Sequence, residues 1–94
     1  IGLALSDRRS ESLPHFIRAL QFAPDRADIR NAFGRVLALE GRVDEAIDRY
    51  REALQLAPQF AEAHFNLAQA LQQKGRAAEA ATHFAEARRL GWKN

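Results

Sequence analysis

Three histidines, His15, His64 and His83, are the side chains here best suited to hold a metal ion or move a proton. On one helix such chemistry needs a second ligand three or four residues away, so that both point the same way. No two of the three histidines have that spacing, and each is expected to stand alone on a helix face. Ser6, Ser10 and Ser12, with Asp7 and His15 nearby, hold the residue types of a nucleophile, base and orienting acid. A triad also needs a rigid strand-to-helix scaffold, which this stretch lacks, so helix capping accounts for the serines better. Gly34, Gly41 and Gly75 are too far apart for a phosphate-cradling loop. The chain has no cysteine, which excludes disulfides and thiolate ligands. No catalytic, cofactor-binding or metal-binding residue is therefore assigned, and the chain is not expected to be an enzyme or to carry a cofactor.

The elements that would position any site follow from a repeat. Pro24 and Pro58 are 34 residues apart, and so are Gly41 and Gly75. The same shift carries Leu3 to Leu37 to Leu71, Glu11 to Glu45 to Glu79, Phe16 to Tyr50 to Phe84 and Ala19 to Ala53 to Ala87. A fixed interval of this size marks stacked supersecondary units that bury apolar faces against one another. In that frame the chain is one domain of a partial unit, 1–26, and two full units, 27–60 and 61–94.

Within each unit the apolar residues recur near every 3.6 positions and nowhere alternate as a strand would. Ile29, Phe33, Val36 and Leu37 share one stripe, as do Val43, Ala46, Ile47, Tyr50, Ala53 and Leu54. The reading is all-α, with helices near 26–39, 43–56, 60–73 and 77–90. A leading helix is expected near 10–22, capped by Ser10 or Ser12, after a remnant at 1–6. Pro14 falls in its first turn, where the missing N–H would have had no partner. Asp25 is the expected cap of the 26–39 helix, with Asp28 favouring its dipole. Gly41 suits the left-handed turn that ends that helix, and Pro58 stops the next one beyond Ala57. Glu45 and Arg49, at i and i+4, suit an exposed ion pair.

Composition bounds the partners. Ninety-four residues make one small domain, and the formal net charge of +2 is mild. Acids are interleaved with the arginines, so no basic run points to nucleic acid or an anionic membrane. No stretch approaches the roughly 20 apolar residues of a membrane span. Alanine and arginine are abundant, a composition that suggests a bacterial source.

Phe33-Gly34, Leu37, Gly41, Ala46, Tyr50, Ala53 and Pro58 stand at the spacing of the tetratricopeptide repeat, which this chain resembles. The third unit fits more loosely, with Ala68 at the glycine position and Trp92 at the closing proline. The resemblance implies helix–turn–helix units stacked as a right-handed α-solenoid, with the first helix of each unit lining a concave groove. It further implies a protein or peptide partner in that groove. Carried over position by position, the groove would present Asp28, Asn31, Arg35 and Ala38, then Glu62, Phe65, Asn66, Gln69 and Gln72. Amide side chains suit a peptide backbone, Arg35 a carboxylate and Phe65 an apolar anchor. The same residues would also serve as an ordinary solvated helix face. Some members of the family grip a C-terminal carboxylate, but Glu62 sits where that clamp needs a lysine.

The functional expectation is a non-enzymatic protein–protein interaction scaffold, a fragment of a larger protein of this family. One alternative is the substrate-recruiting repeat region of a larger enzyme, such as a glycosyl- or sulfotransferase. Another is a self-assembly module that stacks end to end. Leu71, Phe84 and Leu90 would normally meet a following unit, so self-association through the ends, or marginal stability as a monomer, is expected.

Overall fold

The computed structural model describes residues 25–92 throughout and residues 14, 17–19 and 21–22 before them. The described residues of that leading segment are helical, including an exposed Pro14. The remnant at 1–6, the caps at Ser10 and Ser12, His15 and Pro24 lie outside the described residues. From residue 25 onward the elements are α1 (Ala27–Leu39), α2 (Val43–Leu56), α3 (Ala61–Gln73) and α4 (Ala77–Arg89). Among the described residues there is no strand. Helix α1 packs on α2, α3 on α4, and α2 joins the two pairs through α3. This is a solenoid of helical repeats.

The turns follow from three glycines. Gly41, Gly75 and Gly91 have φ of 82°, 79° and 97°, a region that costs residues with a Cβ. Arg42 N–H then reaches back to the Leu37 carbonyl at 2.9 Å and Gly41 N–H to Ala38 at 3.0 Å. Gly75 and Arg76 repeat this on Gln72 and Leu71, and Gly91 and Trp92 on Arg88 and Ala87. These paired bonds satisfy carbonyls that a helix end otherwise leaves open. The third turn explains the departure at Trp92. A proline there could not donate the 2.9 Å bond to Ala87.

The starts of the helices differ from expectation. The residue capping α1 is Arg26, with no side-chain cap bond, rather than Asp25. Asp28 instead takes both hydrogen bonds of the Arg26 guanidinium and accepts the Ile29 N–H at 3.0 Å. Arg26 lies before the first turn and its fork fits a carboxylate edge, which holds Asp28 below the usual carboxylate range. The Glu45–Arg49 pair does not form either. Glu45 is held by Arg42 at 2.7 Å, while Arg49 turns to Glu52 at 3.0 Å and lies over the Phe33 ring.

The core is built from small and large residues in register. Ala46, Ala53, Ala63, Ala68, Ala80 and Ala87 are buried, so helix backbones can approach closely where they cross. Phe33, Leu37, Ile47, Tyr50, Leu67 and Leu71 fill the space between them. Leu71 corrects the expectation of an open end, since it is 0% exposed within this chain. It sits in the last turn of α3, in the cluster that holds Leu37, Tyr50 and Ala80. Phe84 and Leu90 stay partly exposed, as expected of that end. Exposed ion pairs Arg51–Glu79 at 2.9 Å and Lys74–Asp44 at 3.4 Å tie α2 to the second pair but add little stability.

Candidate functional site

A cleft of about 550 Å³ lies along α1 and α3 and is open to solvent. One rim is apolar, formed by Ala38 and Leu39, with Leu39 62% exposed. The other carries Phe65, whose ring lies 5.4 Å from Trp92 and 5.5 Å from Phe84. Tyr50 closes one side, and Arg35, Glu62, Asn66, Gln69 and Gln73 supply the polar lining. The period explains the arrangement. Residues 35, 38 and 39 of α1 and 62, 65, 66, 69 and 73 of α3 recur three or four apart, so each set shares a helix face.

Beneath the cleft a short polar chain runs between the helices. Asn66 Nδ2 donates to Asn31 Oδ1 at 3.0 Å, and Asn31 Nδ2 donates to Glu62 Oε2 at 3.1 Å. Asn31 is only 3% exposed, so both ends of its amide are used within the fold. Arg35 approaches the same Glu62 oxygen at 3.7 Å. Burial pushes the Tyr50 phenol up to about 12, with Arg35 acting to lower it and Glu62 to raise it. Tyr50 therefore stays protonated and keeps its O–H donor at neutral pH.

The expected groove residues separate into three groups. Arg35, Glu62, Phe65, Asn66 and Gln69 come together around the cleft, with Ala38 beside them. Asn31 lies under it as a buried link, and Asp28 is occupied by Arg26 at the start of α1. Gln72 is exposed but does not line the cleft, and Gln73 lines it instead. Sequence reasoning missed Tyr50, Leu39, Gln73 and Trp92. Tyr50 was legible only as a member of the inward stripe of its helix, and Leu39 was not singled out. Trp92 was legible only as a mismatch to the repeat. Its indole Nε1 is buried without a hydrogen-bond partner among the described residues, so ring contacts rather than polar ones hold it.

A second constellation contradicts the expectation of isolated histidines. His64 and His83 meet across α3 and α4, with their Nδ1 atoms 3.1 Å apart and their rings stacked. His64 Nε2 lies 2.9 Å from the Pro58 carbonyl, which can only accept, so Nε2 carries the proton. In that tautomer the His64 Nδ1 lone pair faces the Nδ1–H of His83. Among the described residues, no group of three or more His, Cys, Asp or Glu is placed to hold a metal ion. No helix of the described residues is long and apolar enough to cross a membrane.

Burial, then the neighbouring His64, holds the His83 imidazole below its ordinary value, and Arg51 of α2 acts the same way. Glu79 and Glu86 on α4 oppose that shift only in part. Below about pH 6.5 the unfolded chain binds a proton at this position that the folded chain resists. Stability from this site is thus full above that pH and is lost as pH falls below it. Thermal unfolding between about pH 7 and pH 5 should show a falling midpoint that flattens in His83→Gln. An unchanged slope in the variant would place the pH response elsewhere.

Comparison with known proteins agrees with this architecture. A family profile described as TPR repeat matches residues 34–75, and one described as Tetratricopeptide repeat matches residues 61–90. Among solved structures the chain is similar to MamA, at 26% identity and TM-score 0.85, covering 89% of this chain and 49% of that one. It is similar to MamA AMB-1 at 33% identity and TM-score 0.82, covering 95% of this chain and 54% of that one. A MamA point mutant is 32% identical with TM-score 0.83, covering 98% and 69% respectively. The chain spans about half the length of the first two. No curated protein matches it.

Proposed function

Because the chain belongs to the tetratricopeptide repeat family, we propose that it is a non-enzymatic interaction module holding a segment of a partner protein in the cleft between α1 and α3. The observation that carries this reading is the cleft itself: a polar floor flanked by apolar rims at Leu39 and at Phe65 with Trp92. Such a surface gives an extended or helical peptide both backbone partners and side-chain anchors. A repeat region serving a larger enzyme would use the same surface to recruit its substrate.

Trp92 is the only tryptophan, so its fluorescence reports what enters the cleft. Peptides selected from a random synthetic library on the folded protein should change that emission. Phe65→Ala combined with Gln69→Ala, both in the cleft lining, should weaken their binding by about tenfold or more. Unchanged affinity in the double variant would remove the cleft as the binding surface.

A second reading, end-to-end stacking of copies, is favoured by the partly exposed face on α4. A cavity of about 370 Å³ there is lined by Phe65, Ala81, Phe84, Arg88 and Trp92. Ala81 and Phe84 stand where the 34-residue shift places Ile47 and Tyr50, which α3 covers in the preceding pair. Light scattering distinguishes the readings, since stacking should be lost in Phe84→Glu and retained in Arg35→Glu.

A further inference from the structure

We propose that the cleft, on the reading just given, selects a basic segment that places a lysine or arginine side chain on Glu62. The hydrogen bonds under the cleft have a fixed direction. An ionised Glu62 can only accept, so Asn31 must turn its NH₂ toward it. The Asn31 oxygen then faces Asn66, which must present its own NH₂. One N–H of each amide is thereby spent inward. That leaves the Asn66 oxygen and the Glu62 carboxylate as acceptors in the cleft lining, with Glu62 its one anionic group.

Glu62 is well placed for that role. Its Oε2 is fixed by the buried Asn31, while Oε1 has no hydrogen-bond donor among the described residues. The side chain keeps 34% of its exposure, enough for a ligand to reach it. Arg35 already occupies the neighbourhood, but loosely, at 3.7 Å and with 61% of its side chain exposed. A guest cation can replace it at little cost, because exposed pairs at that distance contribute little. Arg35 thus acts as a stand-in for the guest, showing that a guanidinium fits beside Glu62. Phe65 and Trp92, tilted against each other at the adjoining rim, give the aliphatic stem of a lysine or arginine an apolar bed.

A positional-scanning library of synthetic hexapeptides, with free and with amidated C termini, tests this by Trp92 fluorescence. The wild-type protein should favour Lys or Arg at one position or more and gain nothing from a free C terminus. Glu62→Gln should cost the best basic peptide about tenfold in affinity, and Arg35→Gln should raise it. Glu62→Lys should turn the preference toward Asp and Glu. Circular dichroism confirms that each variant is folded. Binding with an acidic, free-carboxylate or charge-indifferent preference overturns the proposal and leaves the peptide-binding reading standing. An absence of binding to any member of the library overturns both.

Discussion

Leu71→Ala should lower the unfolding free energy by about 2–5 kcal/mol, the range for a buried leucine that leaves a cavity. Leu71 is 0% exposed and lies in one cluster with Leu37, Leu67, Tyr50, Ala46 and Ala80. Those residues belong to all four helices α1 to α4, so no single helix can collapse into the gap. Its carbonyl also accepts the Arg76 N–H at 2.9 Å, which fixes the backbone of that turn. Small domains are stable by only about 5–15 kcal/mol, so the loss is a large fraction of the total. Urea unfolding followed by circular dichroism measures it, with Leu39→Ala as the comparison. Leu39 is 62% exposed, and its truncation should change stability by no more than about 0.5 kcal/mol. Equal effects of the two changes would mean that Leu71 lies at an uncovered end after all.

Gly34→Ala should destabilise the protein by about 1–2 kcal/mol, although alanine is the better helix former. A Cβ built at Gly34 would lie 2.6 Å from Tyr50 Cε1 and 2.7 Å from Cδ1, closer than packed atoms tolerate. Tyr50 is 2% exposed, so the ring cannot swing into solvent. The overpacking cost therefore exceeds the roughly 1 kcal/mol gained in helix propensity. In the next unit the same position is Ala68, fully buried, and its ring counterpart by the 34-residue shift is the less buried Phe84. A double-mutant cycle separates the two terms. With Tyr50→Leu in the background the steric partner is gone, and Gly34→Ala should become stabilising. A change that destabilises equally in both backgrounds would show that Tyr50 is not the obstacle.

Much of the helical frame was legible because its causes are local. The 3.6-residue stripe through Ile29, Phe33 and Leu37 needs only residue types at a spacing. So do the left-handed turns at Gly41 and Gly75 and the small residues at Ala46 and Ala53. The four helix spans expected from residue 26 onward differ from the observed ones by no more than one residue at each end. Errors arose where two groups compete for one. Asp25 lost the cap to Arg26 because the guanidinium reaches Asp28, and Glu45 went to Arg42 rather than Arg49. Six of the expected groove residues, Ala38 among them, converge on the cleft, since a helix face follows from periodicity. Asn31 does not reach its surface, because depth depends on which neighbour lies above a residue.

The sequence by itself determined an all-helical repeat, its 34-residue step, two of its three glycine turns and the stripes that face inward. Tertiary structure alone decided which side chains meet. Asn31 joins Glu62 and Asn66 across separations of 31 and 35 residues, and His64 joins His83 across 19. Leu71 is covered from within, and Trp92 folds back on Phe65. The division has one physical reason. Hydrogen bonds along a helix repeat every few residues and leave a period in the chain, whereas contacts between helices depend on crossing angle and depth, which no local spacing records.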